Sequence, residues 1–158
     1  MTVGPRIVFT RFVSGDSPKL QPWISHLKRT LRSNPRYATP VLDGLESGAV
    51  VWQLASGNSR QLGRSARIFS SFEGASADAE RTIARAADLD TVLVSEHLRG
   101  VYGWYAAADG EPLVTSARWY ETERDRARSI ALALTSLATA TLQSGTRLVD
   151  ASLMREGP

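Results

Sequence analysis

Five residues, SARIF at 65–69, return 51 positions later as SARWY at 116–120. A chain that writes one segment twice folds into two similar units, so this repetition is its first constraint. The likeness is longer than five residues. Residues 39–69 (TPVLDGLESGAVVWQLASGNSRQLGRSARIF) align with residues 91–120 (TVLVSEHLRGVYGWYAAADGEPLVTSARWY). Thr39 meets Thr91, Gly48 meets Gly100 and Trp52 meets Trp104 at one spacing. One residue is lost at a turn, after which Ser65 meets Ser116, Arg67 meets Arg118 and Phe69 meets Tyr120. Both copies run into a helical pattern, SADAERTIARAADL with Ile83 and ERDRARSIALAL with Ile130. Matching these isoleucines gives the first copy four extra residues, FEGA.

Each copy reads as strands followed by a helix. Val50, Trp52 and Leu54 alternate with Val51, Gln53 and Ala55, the period of a strand. Tyr102, Trp104 and Ala106 alternate in the same way with Val101, Gly103 and Tyr105. Ser56-Gly57-Asn58 and Asp109-Gly110 carry turn chemistry. The partner strands are QLGRSA and PLVTSA. Thr91 to Ser95 precedes the second hairpin as a strand, and residues 39–42 are its weaker counterpart. Ala79, Ile83, Ala86 and Ala87 share one helix face, as do Ala127, Ile130, Ala131, Leu134, Leu137 and Thr141. Ser76 and Thr122 are the expected N-caps. The second helix is expected to run to about Gln143, before Ser144-Gly145. RLVDASLM is a candidate closing strand and REGP a frayed tail.

Residues 1–38 lie outside the sequence likeness. Residues 6–13 read as a strand and residues 22–32 as a helix, with Pro22 in its first turn and Trp23, Ile24, Leu27 and Leu31 as its apolar stripe. The expected organisation is therefore a strand-helix extension over 1–38, repeats over 39–90 and 91–150 in one compact domain, and a tail over 151–158. The fold class is α+β: an antiparallel sheet from two strand-strand-strand-helix repeats, with helices packed on one face. A 42% hydrophobic content supplies a core.

The second copy, GWYAAADGEPLVTSARWYETERDRARSI, resembles the repeat unit of the YegP-like family. That unit has an aromatic, a small turn with Gly, an apolar strand ending in Thr-Ser, another aromatic, and a helix with Ala and Ile. The first copy follows the same outline, and together they cover about half the chain. The family's usual Asn-Gly turn is Gly57-Asn58 in one copy and Asp109-Gly110 in the other. Its second aromatic comes one position late, at Phe69 and Tyr120. The resemblance implies one antiparallel sheet with helices packed on it in a small bacterial protein. The family's biochemical role is not established, so no reaction follows from it.

Composition removes several chemistries. With no cysteine, disulfides, thiolate metal sites and cysteine nucleophiles are excluded. The same absence fits a cytoplasmic protein. No apolar run spans a membrane, and the arginine within MTVGPRIVFTRFVSG argues against a signal peptide. No H-E-x-x-H, phosphate loop or EF-hand spacing occurs, so neither metal nor cofactor is expected. The formal charge is +3, and Lys19 and Lys28 are the only lysines.

Ser65 and Ser116 lack the G-x-S-x-G elbow of a nucleophile. Their duplication fits strand ends that bond nearby backbone. Trp52 and Trp104 are expected in the core. On the opposite face, if open, Tyr105, Trp119, Arg67 and Arg118 are the candidate ligand-binding residues. Three readings remain. The favoured one is a non-enzymatic binding or assembly module, with a homodimer through a sheet edge as one form of assembly. The second is a weak nucleic-acid binder using Lys28, Arg29, Arg32 and Arg36 with the arginine and aromatic sheet face. The third is an enzyme centred on His97 with Glu96 or Asp90. His26 is expected at the surface.

Overall fold

The structure, a computed structural model, describes residues 4–149. Among the described residues, eight strands form one sheet: β1 (Arg6–Phe12), β2 (Ala49–Ala55), β3 (Gln61–Ser65), β4 (Asp90–Glu96), β5 (Val101–Ala108), β6 (Glu111–Ser116), β7 (Thr141–Leu142) and β8 (Arg147–Leu148). The helices are α1 (Gln21–Thr30), α2 (Pro35–Ala38), α3 (Phe72–Ala84) and α4 (Glu123–Thr139). The strand order is β4-β5-β6-β3-β2-β1, with β7 and β8 both parallel on the outer edge of β1. All other pairings are antiparallel. The α+β reading holds, with two short parallel strands added.

The two repeats meet at β3 and β6, where Gly63 pairs Ser116, Arg64 pairs Thr115 and Ser65 pairs Val114. Adding the repeat spacing to the first residue of each pair gives the partner of its mirror pair, so a pseudo-two-fold axis runs between Arg64 and Thr115. The loops obey the same operation: Val50 bridges Phe69 as Tyr102 bridges Tyr120. The lost residue lies between β2 and β3. Ser56 bonds Arg60 across three turn residues, whereas Ala108 pairs Glu111 across Asp109-Gly110. Asp109 and Gly110 both have positive φ, 52° and 81°, as a two-residue hairpin with the favoured twist requires.

The duplication is wider than the sequence likeness. β1 pairs β2 with Phe9 opposite Trp52, and β4 pairs β5 with Leu93 opposite Trp104. The outer strand of the first copy thus comes from residues before 39, with α1 and α2 inserted after it. Residues 39–42 form no strand, because β1 already occupies that edge of β2. The helix match also needs correction. α3 starts at Phe72, capped by Ser71, whose Oγ accepts from Gly74 N at 3.0 Å. α4 is capped by Thr122, whose Oγ1 accepts from Asp125 N at 3.0 Å. Both caps follow their strand-end serine by six residues, so FEGA is the first turn of α3 and not an insertion, and Ser76 lies inside the helix. Ile83 then corresponds to Leu134. α4 stops at Thr139, short of Gln143, because Thr141 and Leu142 leave to pair with β1. Of the candidate closing strand, Arg147–Leu148 form β8; its residues 150–154 and the proposed tail lie outside the described residues.

The sheet is covered on both faces. Helices α3 and α4 share one, over Ile7, Phe9, Trp52, Leu54, Trp104, Ala106 and Val114. Trp52 and Trp104 are fully buried there. Helix α1 covers the other, setting Trp23, Ile24, Leu27 and Leu31 on Val51, Ile68, Tyr105 and Ala107. That face is therefore not open. Edge strand β4 keeps an exposed Leu93, 59% accessible, where its counterpart Phe9 is buried. Among the described residues, no helix is long and apolar enough to cross a membrane.

Candidate functional site

The strand-end serines fix the ends of β3 and β6. Ser65 Oγ accepts from Trp52 N and Ser116 Oγ from Trp104 N, each at 3.3 Å. Both side chains are fully buried. Beyond each serine the two copies diverge in size. Ile68 packs on the α1 face of the sheet, in a cluster that includes Val51. At the matching position Trp119 lies against Gly103, where an added Cβ would meet the indole ring at 3.2 Å. Glycine at the Val51 counterpart is what admits the larger ring, and Trp119 then borders α1.

An open cleft of about 400 Å³ lies between α1 and these strand ends, lined by His26, Arg29, Arg64, Arg118 and Trp119 among others. Its most constrained member is Arg64, on the pseudo-two-fold axis. Half-buried beneath α1, its guanidinium stacks over the ring of Trp23, 4.8 Å from the centroid. Loss of solvation lowers its proton affinity below the usual arginine value. No carboxylate pairs with it among the described residues. Three buried side-chain atoms among the described residues lack a hydrogen-bond partner: Arg64 Nε, Trp119 Nε1 and Trp23 Nε1. All three are donors; two belong to residues that line the cleft, Arg64 and Trp119, and the third to the Trp23 ring against which Arg64 stacks.

His26, expected at the surface, is buried instead. Its Nε2–H donates to the carbonyl of Ser116 at 2.7 Å. Burial, and then the charges of Arg64 and Arg29, lower its pKa to about 4. The ring is neutral at physiological pH and ties α1 to the end of β6. Arg29 lies over Trp119 at 4.6 Å and pairs with Glu96 through two bonds of 2.5 and 3.1 Å. That hydrogen bonding holds the Glu96 carboxyl below the usual range.

The other sequence candidates separate. Tyr105 is buried under α1 and reaches no surface, because α1 covers the face expected to be open. Arg67 is exposed and pairs with Glu111. Arg118 is exposed, stacks over Tyr120 at 5.2 Å, and has no ion pair among the described residues. Lys28 and Arg32 are exposed, and Arg36 lies over Tyr37 at 5.5 Å. His97 is exposed in the β4–β5 turn. Asp90 is at the far end of β4, roughly 20 Å away at strand rise, and Glu96 is engaged by Arg29. The three do not converge on a pocket. No cluster of potential metal ligands occurs among the described residues.

Sequence reading missed Arg64 and His26. Arg64 sits in the alternating pattern QLGRS on the face that α1 covers, and its signal was a charged residue at a core-facing position. His26 follows Trp23 by three residues and precedes Leu27, on the flank of the buried stripe.

No family model matches the chain, and no curated protein matches it. Among solved structures it is similar to the solution NMR structure of yegP from E. coli, a protein of unknown function, with a TM-score of 0.51 and 14% identity. The match covers 92% of this chain and 97% of that one. At this identity the likeness establishes a common fold, and the expected YegP-like architecture holds at that level.

Proposed function

We propose that the protein is a non-enzymatic binding module for an oxyanion-bearing ligand, seated in the cleft between α1 and the β3–β6 seam. The observation that carries this reading is the set of orphan donors, Arg64 Nε, Trp119 Nε1 and Trp23 Nε1. Buried donors are almost always satisfied, and three in one neighbourhood call for an acceptor. Charge points the same way. Stacking on Trp23 returns about 0.5–2 kcal/mol. Desolvating a guanidinium costs up to several kcal/mol when burial is complete. An oxyanion beside Arg64 and Arg118 offsets the difference, and guanidinium forks suit carboxylate and phosphate geometry. Trp119 offers a wall and an N–H, while His26, neutral and bonded to Ser116, holds the frame.

The test is an NMR titration of inorganic phosphate at constant ionic strength, following the four tryptophan indole N–H signals. Trp119 and Trp23 shift saturably in the wild type and stop shifting in Arg64→Met, which keeps the stem packed. Trp52, bonded to Asp78 at 2.8 Å, is the silent reference. Equal titration of Trp119 in the variant, or none in the wild type, would contradict the reading.

A further inference from the structure

In the first repeat the seam carries an internal anion. Glu111, the first residue of β6, accepts from Arg81 on α3 at 3.1 and 3.0 Å and pairs with Arg67. Hydrogen bonding from Arg81 holds its carboxyl below the usual range. Arg81 also bonds Asp78 at 3.1 Å, and Asp78 accepts the Trp52 indole N–H. A carboxylate from one repeat thus fills a basic seat on the other.

The pseudo-two-fold operation maps this cluster onto residues that cannot repeat it. Glu111 maps to Arg60, by the matching pairs Ala108–Glu111 and Ser56–Arg60. Arg67 maps to Arg118, Asp78 to Ser129 and Arg81 to Leu132. The Asp78–Ser129 match is visible directly, since Ser129 Oγ accepts the Trp104 indole N–H at 2.9 Å. Where the first copy places Ala77, the second places Arg128. The mapped residues line a cavity of about 350 Å³ together with Asp125 and Tyr120. Three arginines, Arg60, Arg118 and Arg128, line it together with one carboxylate residue, Asp125. None of the three has an ion pair or side-chain hydrogen bond among the described residues.

We infer that this basin on α4 is a second oxyanion site, taking a carboxylate or phosphate group from outside where Glu111 supplies one from within in the first repeat. Its size lies in the range of small-molecule sites, and its unpaired arginines offer the forked donors that such groups accept. It is separate from the cleft under α1, with Arg118 bordering both.

The same four indole signals read it independently. Trp104 reports the basin through Ser129, Trp119 reports the cleft, and Trp52 reports an intact fold. Inorganic phosphate and succinate are titrated separately at constant ionic strength. Trp104 is expected to shift saturably with at least one, and the arm that moves it assigns phosphate or carboxylate as the group bound. Arg60→Glu copies the Glu111 carboxylate alone into the second copy, near Arg118. It should weaken the Trp104 response at least tenfold while leaving the Trp119 response in place. Arg128→Met should weaken the Trp104 response without adding a charge. A wild-type Trp104 signal that moves with neither probe overturns the inference, as does one that titrates equally in Arg60→Glu with Trp52 unmoved. A silent Trp119 beside a responsive Trp104 would refute only the cleft.

Discussion

Replacing His26 with Gln removes a buried titrating ring but keeps an N–H donor for the carbonyl of Ser116. The folded protein holds this imidazole at a pKa of about 4, against an ordinary value of 6.5. Burial is the main cause, and the Arg64 and Arg29 charges add to it. Because the folded pKa is depressed, the unfolded chain binds the extra proton first as pH falls. Stability is therefore fully present above the unfolded pKa and declines as pH drops toward the folded one. With those two values, the loss between pH 7 and pH 5 is about 2 kcal/mol, approaching 3 kcal/mol at pH 4. Other groups titrate nearby. Asp78, raised by burial, works in the opposite direction, and the lowered Glu96 and Glu111 lose their contributions at the acid end. The difference between wild type and His26→Gln cancels all three. Urea unfolding at intervals from pH 7 to pH 5 should show the wild type losing about 2 kcal/mol more than the variant. Parallel pH profiles would refute the placement of a buried, neutral His26 on α1 beside Arg64.

The fit of Trp119 against Gly103 is tested by Gly103→Val, which copies the first repeat without its smaller Ile68. The added side chain meets the indole and should cost about 1–3 kcal/mol in urea unfolding. Ser116→Ala leaves the amide of Trp104 without the hydroxyl it donates to and should cost about 1–3 kcal/mol, with an unchanged far-ultraviolet circular dichroism spectrum. Ser65→Ala should cost a similar amount, because its geometry at Trp52 is the same.

Strands, hairpins and their order within each copy were readable because they are local: alternation, turn residues and a six-residue match mark them. The outer partner of β2 was not, since β1 reaches it across two inserted helices and no short-range pattern encodes that pairing. Matching the two isoleucines in place of the caps puts the helix of the first copy four residues out of register with that of the second. Ser71 and Thr122 both sit six residues beyond their serine, and that spacing carries the register. Trp52 and Trp104 were readable as core, since each stands at the same inward position of its strand. Tyr105 was not, because the cover on its face is α1, which has no counterpart in the second copy. The candidate site was legible only in part. Arg118 stood out through its twin Arg67, yet the two differ in role because Glu111 neutralises one, whereas Arg60 holds the matching position in the basin that the other lines. Arg64 became visible only once α1 set the Trp23 ring against it, with no carboxylate paired to it among the described residues.

The most direct test of the central claim is a crystal soaked in selenate, an oxyanion whose selenium gives an anomalous signal. The account predicts an anomalous peak in the cleft within hydrogen-bonding range of Arg64 and Arg118, facing the Trp119 N–H, and its loss in Arg64→Met crystals. A cleft without selenium, with Arg64 ordered and its donors satisfied by protein groups alone, would contradict it.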